Sequence, residues 1–120
     1  MTADKQLDQR RMEHLATMKV AFAGGRYQEA LDAFEQLAPL DGVRSGIRVE
    51  AIALAARAHL ALGKKRAARD LLKLVWGASL KNDRLFRYVA IASLELGEYR
   101  HALSLVEKAI ELSEAKRAAG

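Results

Sequence analysis

Three histidines, His14, His59 and His101, are the side chains best suited to move a proton or hold a metal near neutral pH. Their spacing favours neither. No two share a helical face at ligand distance, the HExxH pattern does not occur, and there is no Cys to complete a zinc site or act as a thiol nucleophile. Apolar periodicity puts His14 and His59 between packed helices and His101 at an exposed turn beside Tyr99. Gly63-Lys64-Lys65 imitates a phosphate loop, yet Ala58 stands where the first Gly belongs and Lys65 where Ser or Thr would hold magnesium. The chain is therefore expected not to be an enzyme and to need no cofactor and no metal.

Charge offers a second kind of chemistry. The net charge of +5 is unevenly placed, because residues 43–76 hold eight cations and two acids. Lys64, Lys65, Arg66, Arg69 and Lys73 form a basic patch on and near one helix, expected on its convex face. Such a patch can contact phosphates, which makes a nucleic-acid-binding helical protein the alternative reading. Asn and Gln, which read base edges, are missing from the patch, and Trp76 and the tyrosines form no stacking platform. The patch reads first as a solvated convex face; an acidic protein surface is the next reading and nucleic acid the weakest. Lys65, Arg66 and Arg69 also oppose the dipole at the start of their helix, with only Asp70 nearby to offset them.

The elements that must position these groups are helices. The 120 residues are rich in Ala and Leu, with 51% apolar residues, one Pro and no Cys. This composition predicts one all-α domain over residues 1–120, a cytoplasmic location, no secretory leader and no membrane span. Helices are expected near 5–23, 27–38, 46–62, 65–76, 83–96 and 99–116, with Ser45 and Asn82 as N-caps and a frayed tail from Glu114. Breaks fall at Gly24-Gly25, Pro39 to Gly46, Gly63, Gly77 and Gly97.

Three stretches repeat: Gly25-Arg-Tyr-Gln-Glu-Ala-Leu31, Gly63-Lys-Lys-Arg-Ala-Ala-Arg69 and Gly97-Glu-Tyr-Arg-His-Ala-Leu103. Their glycines are 38 and 34 residues apart, about one helical hairpin. The pattern resembles the tetratricopeptide repeat (TPR), most closely at Gly25, Tyr27, Ala30, Leu31 and Phe34 and at Gly97, Tyr99, Ala102, Leu103 and Ala109. The middle unit departs from it at Lys65 and Arg69. The resemblance implies three antiparallel hairpins (about 5–38, 46–76 and 83–116) stacked as a short right-handed superhelix. It also implies small residues where paired helices cross and a Tyr ring covering each outer turn. The chaperone-tail receptors of this family clamp a carboxylate with Asn and cations. Ala16 and Leu54 hold those Asn places here, and only Arg84 matches a clamp cation.

Helical registers then divide the faces. Inside the pairs, His14, Thr17, Met18 and Ala21 are expected to meet Ala30, Phe34 and Leu37. Ile52, Ala55, Ala56 and His59 meet Ala68, Leu72 and Val75, and Phe86, Val89, Ala90 and Ser93 meet Ala102, Val106 and Ala109. The concave groove is expected to be apolar and basic, with Met12, Leu15, Lys19, Phe22, Leu54, Arg57, Leu60, Arg84, Arg87, Tyr88 and Ile91, beside Glu50 and Glu95. Its ligand would be a peptide or helix of another protein, carrying acidic and apolar groups. Leu103, Leu105, Ile110 and Leu112 leave the last helix apolar with no cap after it, so a homo-oligomer or stable partner is expected there. The functional expectation is a protein–protein interaction module acting as scaffold, adaptor or chaperone.

Overall fold

The computed structural model describes residues 2–37, 45–78 and 80–119, and every regular element among them is an α-helix. These are α1 (Thr2–Ala23), α2 (Tyr27–Leu37), α3 (Ser45–Ala61), α4 (Lys65–Trp76), α5 (Asp83–Leu96) and α6 (Tyr99–Ala119). The expected breaks at Pro39 to residue 44 lie outside the described residues. Helix α1 packs on α2, α3 on α4 and α5 on α6, while α3 also meets α1 and α2, and α5 meets α3 and α4.

The turns inside the three pairs have one geometry. Gly25, Gly63 and Gly97 adopt φ of 75°, 79° and 93°, which side chains with a Cβ rarely tolerate. The N–H groups of Arg26, Lys64 and Glu98 each donate to a carbonyl five residues back, on Ala21, His59 and Ser93. This left-handed closure satisfies helix-end carbonyls and turns the chain back within three residues. Gly77, by contrast, ends α4 at φ −98°.

The start of each helix depends on local chemistry. Asn82 caps α5 as expected, with its Oδ1 accepting from the Leu85 N–H at 3.0 Å. Ser45, expected before the helix, is instead the first residue of α3. No side chain caps α4. The tail that was expected to fray is helical through Ala119. Its last turns return to the start of α5, where Lys116 Nζ lies 3.3 Å from Asp83 Oδ1 and Arg87 reaches Oδ2 of the same carboxylate at 3.1 Å. The hydrogen bond from Lys116 is the main reason that Asp83 stays ionised below its ordinary range.

The core has two parts that meet at α3. Ala51, Ala55 and Ala58 face Leu15, Met18 and Ala21 of α1 and Ala30, Leu31 and Leu37 of α2. Val49, Ile52 and Ala56 join Ala68, Leu72 and Val75 of α4, Phe86, Val89 and Ala90 of α5, and Leu105 and Ala109 of α6. Helix α3 is thus covered on two faces, which its nearly uniform apolar sequence permits. Ala55 faces the first pair rather than α4, a correction to the expected register. Thr17 is also not interior. It is exposed, and its hydroxyl donates to the Glu13 carbonyl at 3.0 Å. Full burial of Met18, Ile52 or Leu72 stabilises by roughly 1.5–3 kcal/mol each.

Candidate binding surfaces

The first helices of the three pairs, α1, α3 and α5, border a cleft of about 600 Å³. Met12, Leu15, Ala16 and Lys19 of α1, Gly46, Ile47 and Glu50 of α3, and Arg84 of α5 line it. A smaller hollow of about 90 Å³ is bordered by Ala53, Leu54, Arg57, Tyr88 and Ile91, with Glu50 between the two. Met12 is 57% exposed and Leu15 only 7%, so Leu15 belongs to the α1 core and offers one edge to the cleft. Phe22 and Leu60, expected in the groove, are half-buried against the core clusters.

The expected basic character is largely neutralised from within. Lys19 Nζ lies 2.6 Å from Glu50 Oε1. Arg57 contacts both Glu95 oxygens, at 2.5 and 3.3 Å, and its guanidinium sits 4.7 Å from the centre of the Phe22 ring. Arg87 is held by Asp83 in its own helix. Among the described residues, Arg84 is the cleft cation with no carboxylate partner. Sequence periodicity could place Glu50 and Glu95 beside the groove but could not show which cations they reach. That depends on how the pairs stack.

The basic patch is exposed at Lys64, Lys65, Arg66, Arg69 and Lys73. Arg69 is not free, since it reaches Glu98 at 3.0 Å. Part of the dipole conflict at the start of α4 is thus offset from the next helix pair, not from the local sequence.

The last helix divides differently from expectation. Leu105 is 4% exposed and packs in the core, and Leu112 is half-buried against the same cluster. Leu103 and Ile110 are exposed. Val106, expected inside the pair, is also exposed, and Tyr99, expected to cover its turn, is 67% exposed. Tyr27 does pack at its turn, with its ring edge-on to Phe22 at 5.4 Å.

The histidines occupy three separate settings. His14 is half-buried on α1. His101 is exposed and stacks flat on Trp76, with centroids 4.0 Å apart and planes 1° from parallel. Trp76 in turn donates its indole N–H to the buried Ser93 hydroxyl at 2.8 Å, joining α4, α5 and α6. Nothing in the spacing of these three residues advertised that cluster. His59 is half-buried with an unpartnered buried Nδ1 among the described residues. Burial, then the neighbouring Lys64 charge, lower its pKa below the ordinary 6.5.

That shift has a defined sign. Above pH 6.5 the imidazole is neutral in both states, and its favourable neutral packing is fully present. As pH falls through 6.5 the unfolded chain takes up a proton more readily than the folded one, so stability declines until the lower folded pKa is passed. His59→Leu is expected to flatten this decline. Urea midpoints compared at about pH 7.5 and about pH 5.5 check it, and an unchanged slope for the variant would show that His59 is not responsible.

The fold is thus all-helical, and among the described residues no helix is long and apolar enough to cross a membrane. In comparisons with known proteins, no family model, no curated protein and no solved structure matches the chain.

Proposed function

We propose that the chain is a protein–protein interaction module, built as three stacked TPR-like hairpins, whose cleft across α1, α3 and α5 receives a peptide or helix. The supporting observation is the pairing of a highly exposed Met12 with an Arg84 that has no carboxylate partner among the described residues, in one open cleft. Exposed methionine adapts to varied apolar side chains at modest cost, and a guanidinium binds carboxylates in a fixed two-pronged geometry. The resulting ligand has an apolar anchor near Met12 and Ile47 and an acidic group reaching Arg84. The internally paired Lys19 and Arg57 shape the cleft wall and contribute little charge to the ligand. The matching turns at Gly25, Gly63 and Gly97 support the repeat reading, as does the contact of each pair with the next.

Affinity capture from the native host, followed by mass spectrometry, identifies the ligand. Arg84→Glu is expected to weaken its binding about tenfold or more, since a charge-assisted hydrogen bond contributes about 1.5–3 kcal/mol and the substitution adds repulsion. Calorimetry with the captured partner measures this, and equal affinities would remove the cleft from the reading.

A further inference from the structure

Aligned on their left-handed glycines, the three helix pairs present the same groove, and two of the three grooves are filled. Met18 and Ala30 form the floor of the first and are wholly buried, in one cluster with Ala51, Ala55 and Ala58 of α3. Ala56 and Ala68 form the floor of the second and are wholly buried, in one cluster with Leu85, Val89 and Ala92 of α5. The two filling stripes sit at identical distances before Gly63 and Gly97, at i, i+4 and i+7. Ala90 and Ala102 form the floor of the third groove, between α5 and α6, and no helix of the described fold lies on it. It is an opening of about 390 Å³ walled by Ile91, Leu94, Leu103 and Val106, and Tyr99 and Arg87 also line it.

The walls show how its occupant differs from α3 and α5. The filled grooves carry cations that pair across the seam, Lys19 with Glu50, Arg57 with Glu95 and Arg69 with Glu98. At the places of Lys19 and Arg57 the third groove has Ile91, and at the place of Arg69 it has Leu103. Arg87, a cation in this lining, is already paired with Asp83 at 3.1 Å, so the occupant needs no acid on the seam. A second copy stacked end to end cannot supply the stripe. The corresponding positions of α1 are Glu13, Thr17 and Val20, which would press a carboxylate onto a hydrocarbon floor.

We propose that the α5/α6 groove docks one amphipathic helix of a partner protein, presenting small or aliphatic residues at i, i+4 and i+7 without a charge among them. This surface is separate from the α1/α3/α5 cleft, and it shares with that reading only the premise that the chain acts by binding protein.

The probe is a fluorescent, hydrocarbon-stapled peptide of residues 82–97, stapled away from the Leu85/Val89/Ala92 stripe, and helical by circular dichroism. Added to the full chain, it is expected to bind with micromolar affinity by fluorescence anisotropy. Leu103→Asp, at a solvent-exposed position, is expected to weaken it at least tenfold, as is Val89→Asp in the peptide. Arg84→Glu is expected to leave it unchanged, so failure here and failure of the cleft are read separately. Absence of binding, or equal binding to the Leu103→Asp protein, overturns the proposal. So does a dimer in sedimentation that Leu103→Asp dissociates, because the groove would then belong to a second copy.

Discussion

Trp76→Ala is expected to lower the unfolding free energy by about 3 kcal/mol, near the lower end for removing a large aromatic, because this ring is only half-buried. The ring joins three helices: it ends α4, donates to Ser93 of α5 and carries the His101 imidazole of α6. Its removal exposes part of the second core and leaves His101 without a stacking face. Ser93 keeps its own bond to the Val89 carbonyl at 2.7 Å, so the buried hydroxyl is not orphaned. The loss is therefore mainly packing. Trp76→Phe isolates the hydrogen bond and is expected to cost only about 1 kcal/mol. Urea unfolding followed by far-ultraviolet circular dichroism separates the two variants. A Trp76→Ala loss under about 1 kcal/mol would show that the three-helix contact contributes little.

Ala55→Leu is expected to be of similar size and opposite cause. Ala55 has no solvent exposure and lies in the seam where α3 meets the first helix pair, in one buried cluster with Met18 and Ala30. Overpacking such a site costs about 1–3 kcal/mol, and the rigid helices on both sides favour the upper end. The damage falls at the joint between pairs, so protease cleavage of the first pair should rise before α5 and α6 become sensitive. Ala55→Leu combined with Met18→Ala restores volume within the cluster and is expected to recover part of the loss. Denaturant midpoints of the two single variants and the double variant test this. Strict additivity would place the two side chains in independent sites.

The helices were legible in the sequence to within one residue, and to within three at the start of α1 and the end of α6. Left-handed glycines, the Asn82 cap and an apolar period near 3.6 are local properties, and local properties survive without knowledge of the fold. The end of α6 has remote support that local sequence does not carry: Lys116 binds Asp83, which is 33 residues away. Face assignments succeeded for Met18, Ile52, Ala56 and Leu72 and failed for Thr17, Ala55 and Val106. Periodicity tells how wide an apolar stripe is, but not which edge of it a neighbouring helix will cover.

The candidate sites show the same division. Residue types and spacing determined that histidine, metal and phosphate-loop chemistry have poor support in this sequence, and that cations concentrate in residues 43–76. Tertiary structure decided which charges remain available. Glu50, Glu95 and Glu98 take up Lys19, Arg57 and Arg69 across the joints between helix pairs and leave Arg84 as the unpaired cleft cation among the described residues. It likewise buried Leu105 and exposed Leu103, two residues that composition cannot distinguish. The reason is physical. Helix formation and capping depend on neighbours along the chain, whereas charge neutralisation and groove closure depend on which surface a distant helix happens to meet.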